Sequence, residues 1–132
     1  AVGIMSALYA ATLQYVKTRE QFGRPIGTFQ VIKHRMVDIL MFCEEARSMA
    51  YMATLKLDEC DSNARKRAIS AAKVSIGKAA RFVGQQSIQL HGGMGMTDEL
   101  DVGHYFKRLT MIDILFGDVD FHLKRYSACA PD

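Results

Sequence analysis

Two short segments, about seventy residues apart, carry the side chains of this chain that are best suited to bind an anionic ligand. The first contains Arg19, Gln21 and Phe22, and Gln30 follows after a turn rich in glycine and proline. The planar guanidinium of Arg19 fits the paired oxygens of a diphosphate better than an ammonium group does. Gln30 adds an amide near the start of a predicted helix, where anions are favoured. For Arg19 alone, compensation of the helix dipole is the favoured interpretation, and binding of a diphosphate is the functional alternative. Phe22 is expected to pack and fix the turn.

The second segment is Gln89-Leu90-His91-Gly92-Gly93, followed by Met94-Gly95-Met96. Without Cβ atoms, Gly92 and Gly93 allow backbone to come close to a bulky ligand. The same glycines are also suited to end a helix, so they do not distinguish a binding site from a helix cap. We expect His91 to be a packed or hydrogen-bonded residue and assign it no chemistry.

Long helices are needed to position both segments. Apolar residues recur at helical spacing, β-branched residues rarely alternate with polar ones, and strands therefore have almost no support. The predicted helices cover about 2–21, Thr28 (as the cap) to Leu57, Ala64 to Gly92, and Asp101 to Ile114, and Asp118 is expected to cap a last, short helix. This pattern predicts an all-α fold, an up-and-down four-helix bundle with an extra short C-terminal helix.

Composition and length set the limits of this prediction. The 132 residues, 49% hydrophobic and 23% charged, suit a single helical-bundle domain over 1–132. The start at Ala1 is apolar and uncapped, which favours a fragment of a longer chain whose upstream domains are absent. No apolar run is long enough for a membrane span and no secretory signal is readable, so we expect a cytoplasmic protein. Cys43, Cys60 and Cys129 are expected to be reduced, mostly buried thiols, and the net charge of +3 is too small to indicate nucleic acid.

Taken together, the two motifs resemble the C-terminal domain of flavin-dependent, bacterial-type acyl-CoA dehydrogenases. The resemblance rests on Arg19-Glu20-Gln21-Phe22-Gly23 with Phe29-Gln30, and on Gln89 to Gly95, which is similar to the Gln-x-x-Gly-Gly-x-Gly signature of the family. It extends to about residue 125. It implies an FAD-binding oxidoreductase of fatty acid metabolism that acts on an acyl-CoA substrate and forms a dimer or tetramer. It also implies an electron-transfer flavoprotein as the redox partner.

The resemblance implies roles for the residues of both motifs. Arg19, Gln21 and Gln30 would contact the diphosphate and adenosine end of FAD, with Phe22 beside them. Gln89 through Gly93, which include Leu90 and His91, would approach the same FAD from a second subunit. FAD would then lie across a subunit interface.

A third segment, Leu115-Phe116-Gly117-Asp118, departs from the family pattern. Removal of the α-proton of an acyl-CoA requires a carboxylate, and the family commonly places a Glu directly before a Gly-Thr pair. Phe116 holds the position of that Glu and cannot accept a proton. The catalytic residue is therefore unknown, and Asp118 or Asp113 are candidates for a relocated base. For Asp118 the cap of a helix is the favoured role.

Three hypotheses follow from this substitution. The leading one is a small or non-catalytic subunit of a mixed assembly in which another chain carries the base. A self-sufficient enzyme, with its base upstream of Ala1 or at Asp118, is the first alternative. The second alternative is a helical oligomerisation module with no chemistry of its own.

Two further sequence patterns do not predict a functional site. Lys66, Lys73, Lys78 and Arg81 are expected to form a solvated face rather than a nucleic-acid site. The chain contains no Glu-x-x-His motif, so a di-iron or other metal site is not predicted.

Overall fold

A computed structural model of the chain describes residues 1–129, and α-helices dominate it. The helices are α1 (Val2–Thr18), α2 (Gln30–Leu55), α3 (Ser62–His91), α4 (Val102–Ile114) and α5 (Val119–Ala128). α3 packs against the four other α-helices, and α1 also packs against α2 and α4. The predicted all-α bundle with a short additional C-terminal helix is confirmed.

The core lies between α1, α2 and α3 and continues under α4. Its members are apolar residues at helical spacing, which is why one face of each helix is buried. They include Met5, Leu8, Val16, Met36, Ile39, Cys43, Ala46, Ala79, Ala80, Val83, Leu90, Val102 and Leu109.

Two glycines of α3 let its neighbours approach closely. A Cβ on Gly84 would lie 2.6 Å from Cδ2 of Phe106 in α4, and a Cβ on Gly77 would lie 2.8 Å from Cγ2 of Val119 in α5. Real Cβ atoms do not come this close to other carbons, because non-bonded carbon atoms repel one another well inside their optimal separation of about 3.5–4.0 Å. Small residues on α3 therefore bring the two C-terminal helices against the bundle.

The predicted end of α3 and the predicted cap of α5 are confirmed, and α3 begins at Ser62, two residues before its predicted start. The Asp61 carboxylate accepts a hydrogen bond from the Asn63 amide (2.9 Å) and caps α3. Gly92 ends α3 with a φ of 59°, a value that favours glycine. Asp118 caps α5 by accepting from the Phe121 amide (2.8 Å).

The beginning of α2 and the end of α1 differ from the prediction. Thr28 was predicted as the cap of α2, but its hydroxyl donates to the carbonyl of Pro25 (2.7 Å), and Phe29 holds the cap position. The first helix ends at Thr18 rather than near residue 21. The next residues form a small antiparallel hairpin of β1 (Glu20–Gln21) and β2 (Arg24–Pro25), followed by a turn of 3₁₀ helix over Ile26–Thr28.

No helix within residues 1–129 is both long and apolar enough to span a lipid bilayer. The three cysteines are free thiols, as expected, but only Cys43 is fully buried, whereas Cys60 is exposed and Cys129 is half-buried. The prediction of mostly buried thiols was therefore wrong, because Cys60 falls in the polar connector between α2 and α3.

The buried thiol has a measurable signature. Burial, aided by the nearby Glu44 carboxylate, raises the pKa of the Cys43 thiol from 9.0 to about 11. At pH 9 we expect iodoacetamide to alkylate Cys60 and leave Cys43 unmodified until the chain is unfolded in urea, as read by peptide mass spectrometry. Above pH 9 the unfolded chain loses this proton before the folded one, so the contribution of Cys43 to stability falls as pH rises towards 11. Equal labelling of both cysteines in the folded protein would contradict the burial of Cys43.

Candidate functional site

The two predicted motifs meet in a single groove at the C-terminal ends of α1 and α3. The groove has a volume of about 430 Å³. Its lining includes Arg19 and Gln21 from the first motif and Gln89 through Gly93 from the second, together with Tyr15, Ile26 and Met94. Residues some seventy positions apart in the sequence are thus brought together on one surface of one chain.

Tyr15 and His91 hold the two helix ends together. Their rings stack with centroids 4.3 Å apart, and the Tyr15 hydroxyl donates to the His91 carbonyl at 3.4 Å. The imidazole Nδ1 donates to the carbonyl of Ser87 (2.8 Å), which fixes the orientation of the buried ring. His91 is therefore a packed residue of the groove wall, and the contribution of Tyr15 was not anticipated from the sequence.

The hairpin positions the first motif. The Ile26 amide donates to the Arg19 carbonyl (2.8 Å), so the chain reverses directly after Arg19. At the tip, Phe22 and Gly23 have φ values of 54° and 74°, as in a two-residue turn with both central residues left-handed. That conformation is unusual for a bulky residue such as Phe22. The segment Gly23-Arg24-Pro25, which was predicted only to end the first helix, is thus part of a hairpin.

Two residues predicted for the same site lie outside the groove of a single chain. Phe22 is exposed at the hairpin tip, and its ring meets Phe29 edge-on with centroids 6.2 Å apart. The Arg24 guanidinium covers the Phe29 ring at 4.3 Å. Gln30 begins α2 as an exposed residue and does not line the groove.

The groove is suited to an anion by charge and shape. Arg19 supplies a cation, Gln21 and Gln89 supply amides, and no carboxylate is part of the lining. A Cβ placed on Gly92 or Gly93 would meet nothing within 4 Å, so the backbone here faces open space. Exposed peptide groups beside a guanidinium are able to hydrogen-bond the oxygens of a diphosphate. Residues of both motifs thus line one groove of one chain, and the predicted division of the FAD contacts between two subunits stays a prediction.

The third segment forms a separate, tightly held turn after α4. Phe116 has a φ of 60° and a side chain that is 93% exposed. Lys73 of α3 donates from Nζ to the Leu115 carbonyl (2.9 Å) and lies 3.3 and 3.4 Å from two further carbonyls at the end of α4. From the other side, Nε2 of buried His122 donates to the Phe116 carbonyl (3.1 Å), and the Ser70 hydroxyl is 3.2 Å from Nδ1. The turn is thus fixed through its backbone, and the residue-116 side chain projects outward.

Lys73 and His122 were missed by sequence reasoning. Lys73 was predicted to belong to a solvated face, which is wrong because its ammonium binds the free carbonyls at the C-terminal end of α4. The sequence feature that could have indicated this role of Lys73 is its position among the alanines on the inner side of α3. For His122, the corresponding feature is its position about one helical turn after the apolar Val119, on the same side of the last helix.

The two aspartates near this turn have structural partners. Asp118 is occupied as the cap of α5. The Asp113 side chain is only 12% exposed, and one of its oxygens lies 3.7 Å from the Arg81 guanidinium. Its other oxygen is buried without a hydrogen-bond partner in the part of the chain that the structure describes. Among residues 1–129, no group of three or more His, Cys, Asp or Glu side chains is arranged to hold a metal ion.

Comparison with known proteins gives a consistent result. The family model described as "Acyl-CoA dehydrogenase, C-terminal domain" matches residues 1–128. The chain is 36% identical over 129 residues to acyl-CoA dehydrogenase IpdE2 of Mycolicibacterium smegmatis, covering 96% of this chain and 39% of that protein. Its fold is similar to the structure of the FAD complex of PigA, with a TM-score of 0.87 and 31% identity over 96% of this chain and 33% of that chain. It is also similar to butyryl-CoA dehydrogenase from Megasphaera elsdenii, with a TM-score of 0.88 and 28% identity over 96% of this chain and 33% of that chain. The chain thus spans between a third and two fifths of the length of these relatives.

Proposed function

The chain belongs to the acyl-CoA dehydrogenase family as a C-terminal domain, and on this premise we propose that it supplies part of an FAD site and of a subunit interface for the α,β-dehydrogenation of an acyl-CoA thioester. The observation that carries the proposal is the shared groove of Arg19, Gln21 and the segment from Gln89 to Gly93. These residues belong to the two motifs that resemble those of the family. PigA and butyryl-CoA dehydrogenase, whose folds are similar, are consistent with this cofactor and this substrate class.

The groove fits the diphosphate end of FAD. Arg19 provides a charged, forked donor, the two glutamine amides flank it, and the open backbone at Gly92 and Gly93 leaves room for a ligand. When bound, FAD accepts the hydride that leaves the β-carbon of the substrate. The role of this chain at the groove is to bind and orient the anionic part of the cofactor.

The groove and the residue-116 turn lie far apart in one chain. Lys73, which holds the turn, precedes Leu90 by seventeen residues of α3, or roughly 25 Å at 1.5 Å per residue. We propose that the groove and the residue-116 turn of one chain contact two different FAD molecules of an assembly. Each FAD would then lie between the groove of one subunit and the residue-116 turn of another. This arrangement agrees with an oligomeric enzyme, and an electron-transfer flavoprotein remains our proposal for the electron acceptor.

Phe116 leads to the finer proposal. A base must reach the α-proton of the substrate, and phenylalanine has no group that accepts it. Asp118 already caps a helix, and Asp113 is turned towards Arg81 and α3. We therefore propose that this chain is the non-catalytic subunit of a mixed assembly, whose other chain carries the carboxylate. A helical oligomerisation module is the second candidate, favoured by the large apolar side chains that α2 leaves exposed.

Enzyme assays on the intact protein test the proposal. The protein, purified alone, should be tested with a series of acyl-CoA thioesters of increasing chain length. We expect no reduction of a dye acceptor with any of them. Phe116→Glu should give dye reduction at least about 100-fold above the background of the assay, because a positioned base contributes 10²–10⁴ in rate. Phe116→Leu, the matched control, should leave the rate unchanged.

Two results would contradict this assignment. Turnover by the unmodified protein alone, lost in Asp113→Asn or Asp118→Asn, would place the base in this domain. Turnover that survives both substitutions would place it elsewhere in the same protein, and either result would remove the need for a second kind of chain.

A further inference from the structure

Another concave site lies between the end of α1 and the start of α2, and we call it the α1–α2 cavity. Its volume is about 430 Å³, and it shares no lining residue with the groove. Ligand sites in proteins typically have roughly 300–1,000 Å³ and a mostly apolar lining with a few polar groups. The α1–α2 cavity has this composition, since its apolar side chains are Leu13, Val16, Pro25, Ile32 and Met36. It is therefore suited in size and lining to a small molecule with an apolar part.

The α1–α2 cavity is apolar at its floor and cationic at its mouth. Val16 and Met36 are only 2% and 7% exposed, so they lie at the floor. Lys17 and Lys33 also line the cavity, and both are exposed and come from different helices. An elongated ligand whose chain lies on the floor would thus have its other end near two ammonium groups.

The two lysines favour an anionic group at the mouth. Among residues 1–129, no carboxylate lines the cavity and no ion pair includes Lys17 or Lys33. Lys17 lies in the last turn of α1, where a cation also compensates the helix dipole. Lys33 lies near the start of α2, where the dipole makes a cation less favourable, so helix stability does not explain its position. Cations above an apolar floor are complementary to an alkyl chain that ends in a carboxylate.

The α1–α2 cavity is separated from the groove by residues 25–28. Ile26 lines the groove, whereas Pro25 and Gly27 line the cavity. A Cβ on Gly27 would lie 2.8 Å from the carbonyl oxygen of Val16, so this segment rests directly on α1. The cavity is thus not a continuation of the groove, and its ligand is distinct from the diphosphate proposed for the groove.

We propose that the α1–α2 cavity is a binding site for an aliphatic monocarboxylate. The alkyl chain lies against Leu13, Ile32 and Met36, and the carboxylate is paired with the ammonium groups of Lys17 and Lys33. A single carboxylate at the end of the chain matches the site, because the charged groups are confined to the mouth and the floor is apolar. The site does not depend on the assignment of the groove to FAD or on which chain carries the catalytic base.

Calorimetric titration of the intact protein with octanoate tests the class of ligand. We expect octanoate to bind, and hexanoate to bind roughly 15-fold more weakly, because each buried methylene contributes about fourfold in affinity. Octylamine, the matched control with the same chain length and the opposite charge, should bind at least about tenfold more weakly than octanoate. No binding of octanoate, equal binding of the two acids, or equal binding of octylamine would overturn the proposal.

The same titration on variants of the intact protein tests the location of the site. Lys17→Met and Lys33→Met keep an apolar stem and remove the charge, so each should weaken octanoate binding by about threefold to fivefold. Ile32→Phe should weaken it by about tenfold or more, because the larger ring fills the cavity. Lys107→Met is the matched control, since Lys107 is an exposed residue of α4 outside the cavity, and the affinity should not change. Circular dichroism checks that each variant keeps its helices. Equal affinity of all the variants for octanoate would place the acid at another site of the protein, and the proposal would be wrong.

Discussion

Replacing Arg19 with alanine should weaken the binding of FAD to the intact protein by roughly 100-fold, since a hydrogen-bonded charge pair contributes about 1.5–3 kcal/mol. Arg19 is the cation of the groove, and its side chain makes no hydrogen bond or ion pair within residues 1–129. The folded structure should therefore tolerate its loss. Flavin fluorescence or the absorbance of retained flavin after gel filtration measures the effect.

Arg24→Ala provides the matched control for this experiment. It removes the same charge five residues later in the chain, but the Arg24 guanidinium covers the Phe29 ring and does not line the groove. We expect flavin affinity to change by less than about threefold. If both variants lost flavin equally, the cause would be damage to the hairpin or general charge, and the assignment of Arg19 to a diphosphate would be wrong. Retention of flavin by Arg19→Ala would favour the oligomerisation module instead.

Replacing Leu8 with alanine should lower the free energy of unfolding of the bundle by about 3 kcal/mol, through lost burial and the cavity that remains. Leu8 is fully buried between α1 and its neighbours. Amides of α2 and α3 that exchange only on global opening of the domain should exchange roughly 100-fold faster, as measured by hydrogen exchange in the intact protein. Hydrogen exchange reports on this domain alone, whereas a single unfolding free energy is not well defined for a protein whose domains unfold separately.

Leu57→Ala makes the same chemical change at an exposed site after the end of α2. The expected change in stability is within about 0.5 kcal/mol. Similar acceleration of exchange in both variants would show that Leu8 is not part of a close-packed core. A small effect of Leu8→Ala alone would indicate that the surrounding helices collapse into the space.

The helices themselves were readable from the sequence because their determinants are local. Apolar spacing set α1 to α4, Asp118 marked the start of α5, and Gly92 marked the end of α3. Each of these signals acts within about one turn of helix. The end of α1 was predicted too late for the same reason: the pairing of Gln21 with Arg24 competes with the helix, and pattern alone does not weigh the two.

The residue-116 turn shows what local signals miss. The substitution of the family's Glu by Phe116 is visible in the sequence. The anchoring of its backbone is not, because Lys73 lies 42 residues before Leu115 and His122 reaches Ser70 across 52 residues. Nothing in the local sequence around Lys73 or His122 indicates that both side chains bind the backbone of the same turn, because this depends on how the helices pack. Only the packed structure distinguishes a solvated lysine from one that binds the end of a neighbouring helix.

By itself the sequence determined the helical class, the positions of most helices, the resemblance to a flavoenzyme family and the absence of a carboxylate at residue 116. The tertiary structure decided that Arg19 and Gln89 line the same groove while Phe22 and Gln30 do not. The physical reason is the range of the interactions. Helices and caps depend on residues three or four positions apart, whereas the groove depends on a contact between Tyr15 and His91 across 76 positions. Such a contact forms only when burial of the core has brought the ends of α1 and α3 together.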